Sequence, residues 1–199
     1  MRKLFGPAVF AALLAAYGVA ASPGSSNDHN DAFMSGPQNE SQMSRQIRHN
    51  LLMLPYYSIF DDLAFKIEPG GIVVLEGACP PEPPWDISHA AQDAVKNVAG
   101  VTRVVNNIKV LPLSPMDWQI RRAEARAIYG NADIGTRYGF QALPSIHIIV
   151  ENGHVTLEGV VDNQFDDTLI RTRANTVPNV FSVTDDLRVL NTGKSKKSS

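Results

Sequence analysis

Two segments of this chain are each repeated later in the sequence, and the repeat limits what the chain can fold into. Residues 70–77 (GGIVVLEG) are matched 82 positions later by residues 152–159 (NGHVTLEG). Residues 101–111 (VTRVVNNIKVL) are matched 79 positions later by residues 180–190 (VFSVTDDLRVL). Because both pairs keep their order and nearly their spacing, we predict two copies of one module. Each copy has about 70 residues, close to the smallest size that holds a stable core.

Composition and net charge are those of an ordinary globular protein and do not favour a nucleic-acid-binding function. The 199 residues are 44% hydrophobic and 19% charged, which is ordinary for a globular protein. The net charge of -2 gives no reason to expect nucleic acid as a partner. The single cysteine, Cys79, cannot form an internal disulfide. Two interpretations of it stay open, an intermolecular disulfide and a small, partly buried apolar residue.

The N-terminus has the pattern of a secretory signal peptide. Arg2 and Lys3 precede the short apolar run 8–16, and residues 19–21 (VAA) are small ahead of a cut before Ser22. The alternative is an uncleaved anchor, but the run is Ala-rich and shorter than the roughly 20 apolar residues that span a bilayer. We therefore predict export with cleavage.

Local composition divides the rest of the chain. The segment after the signal is polar and poor in large apolar side chains, so it cannot offset its ordering entropy and is predicted to be disordered. The basic C-terminal tail is predicted to be disordered as well. The predicted divisions are a signal peptide at 1–21, a disordered leader at 22–44, module one at 45–112, a linker at 113–116, module two at 117–191 and a disordered tail at 192–199.

Hydrophobic spacing predicts the order helix, strand, strand, helix, strand in each module. The predicted helices are residues 46–54, 88–98, 118–129 and 167–177. Asn152-Gly153 is suited to a type I′ hairpin turn between the first two strands of module two. In module one, Val104, Ile108 and Val110 are placed on one face of the last strand. Since a helix joins the last two strands, they should be parallel. The predicted fold class is α+β, two tandem small modules with a three-stranded mixed sheet each.

This order, with Val-x-Leu-x-Gly in the hairpin and Gly-Val-x-x-Val-x-Asn before the last strand, resembles the BON domain. The residues that carry the resemblance are Val73, Leu75, Gly77, Gly100, Val101, Val104 and Asn106 in module one, and Val155, Leu157, Gly159, Val180, Val183 and Asp185 in module two. Asn179 stands in place of the second glycine. Asparagine tolerates left-handed backbone better than most residues, so it is expected to substitute there.

The resemblance implies an exported, periplasmic bacterial protein that is associated with the cell envelope. It implies no catalytic residues and no cofactor. As partners it implies an anionic phospholipid membrane surface or a membrane-associated envelope protein, with a role in osmotic or envelope stress. The alternative function is a protein–protein assembly module that docks through the Pro-rich loop 80–84 and through open sheet edges.

Module two is richer in arginine on its helices than module one is in cations. Guanidinium groups form bidentate bonds with phosphate, and tryptophan is common at membrane interfaces. The candidate lipid-binding residues are therefore Arg121, Arg122, Arg126, Arg171, Arg173 and Trp118. The competing interpretation is a solvated helix face, with Trp118 in the core.

No motif for catalysis or metal binding stands out. The five histidines lack the paired spacing of a zinc site. The acidic pairs at 61–62, 166–167 and 185–186 are expected to be solvated loops, caps or strand ends, since adjacent side chains point apart. Asn106 and Asp185 share strand parity with inward residues, so each needs a hydrogen-bond partner. We expect local backbone to supply it. The prediction is no enzyme and no metal.

Overall fold

The structure is a computed structural model that describes residues 30–32, 41–81, 86–141 and 144–190. The predicted signal peptide, most of the predicted leader and all of the predicted tail lie outside these residues. Both modules follow the order helix, strand, strand, helix, strand that the sequence predicts, and the α+β fold class is confirmed.

The elements of module one begin with a short strand in the predicted leader. They are β1 (Asn30–Asp31), α1 (Gln42–Leu52), β2 (Asp62–Glu68), β3 (Ile72–Cys79), α2 (Ile87–Lys96), β4 (Arg103–Asn106) and β5 (Lys109–Val110). Side chains just before the helices cap their free N–H groups: Ser41 accepts from the amide of Ser44, and Asp86 from that of His89.

Module two has three strands and a two-part first helical region. Its elements are α3 (Pro115–Tyr129), α4 (Ala132–Ile134), a π-helical turn (Gly135–Gly139), β6 (Ile146–Glu151), β7 (His154–Val161), α5 (Gln164–Ala174) and β8 (Ser182–Val189). Ser114 caps α3, and Pro115 takes the first helical position, where its missing N–H is not needed. The helix thus begins inside the predicted linker.

The sheet of module one differs from the predicted three strands. Its order is β1-β2-β3-β4, with β5 also paired to β3, which makes five strands. The pairing of β2 with β3 is antiparallel, and β4 and β5 run parallel to β3 as predicted. Residues 30–32 were predicted to be disordered, but Asn30 and Asp31 pair with β2 and Ala32 is fully buried.

The last strand of module one is interrupted after Asn106. The Asn106 side-chain oxygen accepts from the backbone N–H of Ile108, which folds the chain locally between β4 and β5. The break changes the side-chain parity beyond it. Ile108 and Leu111 are buried, whereas Val110 is 50% exposed. The prediction that Val110 shares the inward face with Ile108 was therefore wrong.

Module two keeps the predicted three strands, in the order β6-β7-β8. At the hairpin, Asn152 and Gly153 have φ of 51° and 79°, the positive values that a type I′ turn needs. The buried Asp117 carboxylate on α3 accepts from both turn amides, at 2.9 and 2.8 Å. Asn179, with φ of 67°, takes the left-handed role of Gly100, with φ of 92°, as expected.

Each module packs its own core between sheet and helices. In module one the largest core side chains come from α1, β2 and β3, and in module two from α3, β6, β7 and α5. Cys79 is 1% exposed within the first core. A thiol in that position is a packed apolar group, which favours the second interpretation of this residue.

The two modules meet at a contact surface, here called the module seam. It joins residues 57–62 and the neighbouring end of β2 to the strands of module two. The Ile148 amide donates to the Ile59 carbonyl at 2.8 Å, and His147 Nδ1 lies 2.6 Å from the Asp61 carbonyl. Further along, Lys109 Nζ lies 2.6 Å from a Glu151 carboxylate oxygen. The face of β6 opposite its own helices is thereby covered.

The glycine of the Val-x-Leu-x-Gly motif lets two strand backbones come close together. Gly77 has φ of +110°, and a Cβ there would lie 2.2 Å from the Asp62 carbonyl oxygen. Gly159 has φ of +134°, and its Cβ would lie 2.0 Å from the Ser145 carbonyl oxygen. Both the backbone conformation and the space exclude a side chain, so the motif glycine is a requirement of the hairpin.

We expect Gly77→Ala to lower the free energy of unfolding by about 2–4 kcal/mol. The alanine must leave the positive φ of this position, and the Asp62 backbone must also move away from the new Cβ. Gly70→Ala is the matched control. Gly70 also has positive φ, at +83°, but nothing lies within 4 Å of its Cβ position, so only the left-handed penalty of about 1–2 kcal/mol applies. Urea denaturation measures both. Equal losses would contradict the steric account.

Candidate lipid-binding surface of module two

The exposed arginines of module two lie on the two long helices that pack against its sheet. Arg122 and Arg126 are one turn apart on α3, and both are exposed. Arg171 and Arg173 are exposed on the last turn of α5. Four of the five predicted arginines are therefore accessible from solvent.

Arg121 is the exception, and its position corrects the prediction that it contacts lipid. Its side chain is 2% exposed, and Nη2 donates to the Val150 carbonyl at 2.6 Å. The guanidinium carbon lies 5.6 Å from the centre of the Trp118 ring. Arg121 thus ties α3 to the end of β6. The sequence could not show that Arg121 is buried and Arg122 is exposed, because the two residues are adjacent in one polar run.

Trp118 is half-buried and contacts the segment that enters module one's first hairpin. Its ring meets Phe60 edge-on, with centroids 5.6 Å apart. This contact belongs to the module seam. Much of the indole is therefore in contact with other parts of the protein. The solvent-exposed side of α3 carries Arg122 and Arg126 instead.

Arg122 and Arg126 line a polar cleft between α3 and the loop that follows α5. The cleft has a volume of about 350 Å³ and is lined by Gln119, Ile120, Arg122, Ala123, Arg126, Pro178 and Asn179. Two guanidinium groups and two side-chain amides line it, and no carboxylate is among these described residues. Such a lining suits an anion with several oxygen acceptors, such as a phosphate ester.

An apolar groove adjoins the cleft at Arg126, which lines both. The groove has a volume of about 500 Å³ and is lined by Ile59, Ala125, Arg126, Tyr129, Gly130, Gly135, Gly139, Phe140 and Pro144. Phe140, at its edge, is 86% exposed. Residues 130–140 show no regular hydrophobic periodicity, so the groove could not be predicted from sequence spacing. The glycines around an isolated aromatic residue were the available signal.

A buried carboxyl lies on the inner side of α3, behind the arginines. Glu124 is fully buried, and neither of its carboxyl oxygens has a hydrogen-bond partner among the described residues. Burial raises the pKa of Glu124 to about 8. At neutral pH the group is therefore protonated, because the charged form would have no compensating partner.

Asn106 connects the last strand of module one to α2. Its Nδ2 donates to the Ser88 carbonyl at 3.0 Å, to the Ser88 hydroxyl at 3.1 Å and to Gln92 Oε1 at 3.3 Å. Its oxygen accepts the Ile108 amide described above. The expectation of a structural role with local backbone partners is thus supported, with two side-chain partners added.

Module two replaces this neutral group with a charged one at equivalent positions. Asp185 accepts the Leu187 amide at 3.2 Å, lies 3.6 Å from Arg171 Nε and hydrogen-bonds Asp167. Asp185, Arg171 and Asp167 each follow Asn106, Gln92 and Ser88 by 79 positions. Burial, then the Asp185 charge, raises the pKa of Asp167. An ionised aspartate accepts and cannot donate, so Arg171 suits Asp185 where Gln92 suits Asn106, and the Asp185–Asp167 hydrogen bond needs a proton on one carboxyl group.

The acidic pairs are less solvated than expected. Asp61, Asp166 and Asp167 are buried, which corrects the expectation for these three. The Asp166 amide donates to the Asn163 side chain that caps α5, and the Asp166 carboxylate accepts from the Tyr138 hydroxyl at 2.6 Å. Asp61 accepts the amide and hydroxyl of Ser58, both at 2.8 Å. These carboxylates order the segments that lead into β2 and α5.

Neither a spanning helix nor a metal site is found in the part of the chain that the structure describes. No helix there is both long and apolar enough to cross a bilayer. No group of three or more histidine, cysteine, aspartate or glutamate side chains there is arranged to hold a metal ion.

Substituting residues of the Asn106 group with those at the equivalent positions of module two tests whether the two polar groups are interchangeable. Asn106→Asp sets a carboxylate against the Ser88 carbonyl, so we expect it to lower unfolding free energy by about 1–3 kcal/mol. Adding Gln92→Arg, the module-two residue at that position, should recover about 1 kcal/mol. Asn107→Asp, on the exposed neighbour, is the control and should change little. The account fails if Asn106→Asp and Asn107→Asp are equally mild in urea denaturation.

Glu124 predicts a specific dependence of stability on pH. The unfolded carboxyl has an ordinary pKa near ~4.3, so its contribution is complete below that value and is lost as pH rises toward 8. Glu124→Gln should flatten this part of the profile and gain about 1–3 kcal/mol relative to the original chain above pH ~8. Asp133→Asn, on an exposed carboxylate, should leave the profile unchanged. Parallel profiles for the original chain and Glu124→Gln would refute the assignment.

Comparisons with known proteins give one family. No curated protein matches the chain. Among solved structures, it is similar to the C-terminal domain of CdsD, the structural protein of the type III secretion system of Chlamydia trachomatis. The identity is 12%, with 77% of this chain and 100% of that chain covered, at a TM-score of 0.31. A second CdsD structure from Chlamydia trachomatis is 15% identical, covers 73% of this chain and 62% of that one, and has a TM-score of 0.28.

The BON domain is the family description that matches, over residues 40–112 and 134–191. The two matched segments take up most of the chain, one in each module. They include the hairpin glycines Gly77 and Gly159 and the paired polar residues Asn106 and Asp185. The chain therefore belongs to the BON domain family, with two BON domains in tandem.

Proposed function

We propose that this chain is an exported, non-enzymatic envelope protein whose second module binds anionic phospholipid surfaces through α3. The observation that carries the proposal is the sharing of Arg126 between a polar cleft and an apolar groove. BON domain proteins are envelope-associated and are not known as enzymes, which supports the cellular setting. Periplasmic location and a role in osmotic or envelope stress are part of the same proposal.

The arrangement matches the two parts of a phospholipid. Arg122 and Arg126 would meet phosphate groups in the cleft, where each cation near an anionic surface contributes about 1 kcal/mol. Phe140 would enter the region between headgroups and acyl chains, since an exposed aromatic ring gains from leaving water. Arg171 and Arg173 would add attraction from α5. The sum is modest, so reversible, salt-sensitive association is expected.

Vesicle flotation tests the proposal directly. The protein should float with vesicles that contain anionic phospholipid and should not float with neutral phosphatidylcholine vesicles. Arg122→Ala with Arg126→Ala removes two cations and should weaken binding by about tenfold or more. Phe140→Ser should weaken it without changing its salt dependence.

The matched control removes two exposed cations from module one. Arg45→Ala with Arg103→Ala makes the same change in net charge and should leave binding nearly intact. If the two double variants lose binding equally, attraction is a matter of net charge and the site is placed wrongly. If the original protein floats with neither kind of vesicle, the lipid proposal fails.

A second candidate function, docking of an envelope protein, is favoured by one observation. The strand β8 is the outer strand of module two's sheet, is eight residues long and alternates exposed and half-buried side chains. An extended partner segment could add a strand to such an edge. Crosslinking in intact cells separates the two candidates. A protein partner that is retained by Arg122→Ala with Arg126→Ala would favour this docking function.

A further inference from the structure

The module seam has a carboxyl pair at its centre. Asp62 is the first residue of β2, and Glu158 lies in the middle of β7. Both side chains are half-buried and face each other across the seam, close enough for one carboxyl to form a hydrogen bond with the other. Asp62 Oδ1 has no partner among the described residues. Two ionised carboxylates cannot donate to one another, so a hydrogen bond between them needs a proton on one of them.

The strand register of module two directs Glu158 toward module one. Glu158 pairs with His147 on β6 and with Asp186 on β8, and directly paired residues share a face of the sheet. The opposite face carries the core residues Ile148 and Leu157. His147 is 1% exposed, which shows how completely module one covers this side at β6.

A segment from the predicted leader adds a further acid to the seam. The Asp31 carboxylate, on β1, forms an ion pair with Arg188 on β8, and the Asp31 carbonyl accepts from Arg48 on α1. Ala32 donates its amide to the Leu63 carbonyl at 2.7 Å. The short strand β1 therefore contacts both modules, and its carboxylate is only 3% exposed.

The charges around the pair are mostly negative. The titratable and charged groups that face it are Asp31 from β1, Tyr57 and Asp61 from the segment before β2, His147 from β6, and Asp186 and Arg188 from β8. Burial lowers the pKa of His147 to about 4, so the imidazole is neutral. Arg188 is therefore the one cation among these described groups, and it is already paired with Asp31.

We propose that the module seam is a pH-sensitive latch, in which Asp62 and Glu158 share one proton that holds the two modules together. Loss of the proton puts two negative charges in contact, beside Asp31 and Asp186, while Arg188 is already paired with Asp31. The seam should then open, while each module keeps its own core. Opening would free the inner face of β6 and break the Asp31–Arg188 contact between β1 and β8, while β1 stays paired with β2.

Burial is the main cause that raises the pKa of both Asp62 and Glu158 above the ordinary carboxyl range. The Glu158 charge adds to the rise at Asp62, and the charges of Asp31 and Asp186 add to the rise at Glu158, whose pKa the hydrogen bond with Asp62 lowers. In the open state both groups return to ordinary values near ~4. The closed seam is therefore fully favoured below those ordinary values. It weakens as pH rises toward and through the raised ones, by up to tenfold in the closing equilibrium for each pH unit and proton.

Hydrogen exchange of two amides in the full chain tests the proposal between pH ~5 and ~9. The Ile148 amide reports the seam, because it donates to the Ile59 carbonyl. The Val160 amide, which donates to Ser145 within module two, reports the module itself. After correction for intrinsic exchange, protection of Ile148 should fall with pH by up to about tenfold per unit, and that of Val160 should not.

Two substitutions remove the shared proton while keeping the hydrogen bond. Asp62→Asn and Glu158→Gln each place an amide donor against the remaining carboxylate, so Ile148 protection should become flat above pH ~6 in both. Asp93→Asn, on an exposed carboxylate of α2, should keep the original pH dependence. A flat profile in the original chain, or an unchanged fall in both amide variants, would overturn the proposal.

Discussion

The contact between residues 57–62 and β6 decides which surfaces of this protein remain free. A three-stranded sheet covered by helices on one face leaves the other face in water. Here the Ile59 carbonyl accepts from the Ile148 amide at the outer edge of β6, and the Asp61 carbonyl lies against the His147 ring on the face away from the core, so module one covers both the edge and the face. The helices α3 and α5 are then the outer layer of module two. The accessibility of Arg122 and Arg126 follows from that contact.

The two modules share a backbone plan and differ in the polar groups that hold it. The hairpin glycines Gly77 and Gly159 have the same function, because in both places a carbonyl oxygen occupies the position of a Cβ. The connection from the last strand to the second helix is neutral at Asn106 and charged at Asp185. In module two Arg171 supplies a donor to Asp185, whereas the contact between Asp185 and Asp167 needs a proton on one of the two carboxyl groups. Only one copy therefore responds to pH at this connection.

Buried and half-buried carboxyl groups recur in the second module and at the seam. Glu124, behind the arginine-lined cleft, has no hydrogen-bond partner within the part of the chain that the structure describes, while Asp62 and Glu158 face each other between the modules. In each case burial favours the protonated form, so stability declines toward alkaline pH. The lipid-binding proposal and the latch proposal use different faces of module two. The first concerns the outside of α3, and the second concerns the covered face of the sheet.

The sequence alone determined the repeat, the order of elements, the family and the hairpin turn at Asn152-Gly153, because these depend on local spacing and backbone preference. It placed most helices within a few residues. Three features depended on tertiary structure: the burial of Arg121, the pairing of residues 30–32 with β2, and the meeting of Asp62 with Glu158. Each joins groups far apart in the chain. The local sequence around Arg121 is the same whether its guanidinium group is in water or donates to the Val150 carbonyl. Only the packing of α3 on β6 determines which of the two occurs.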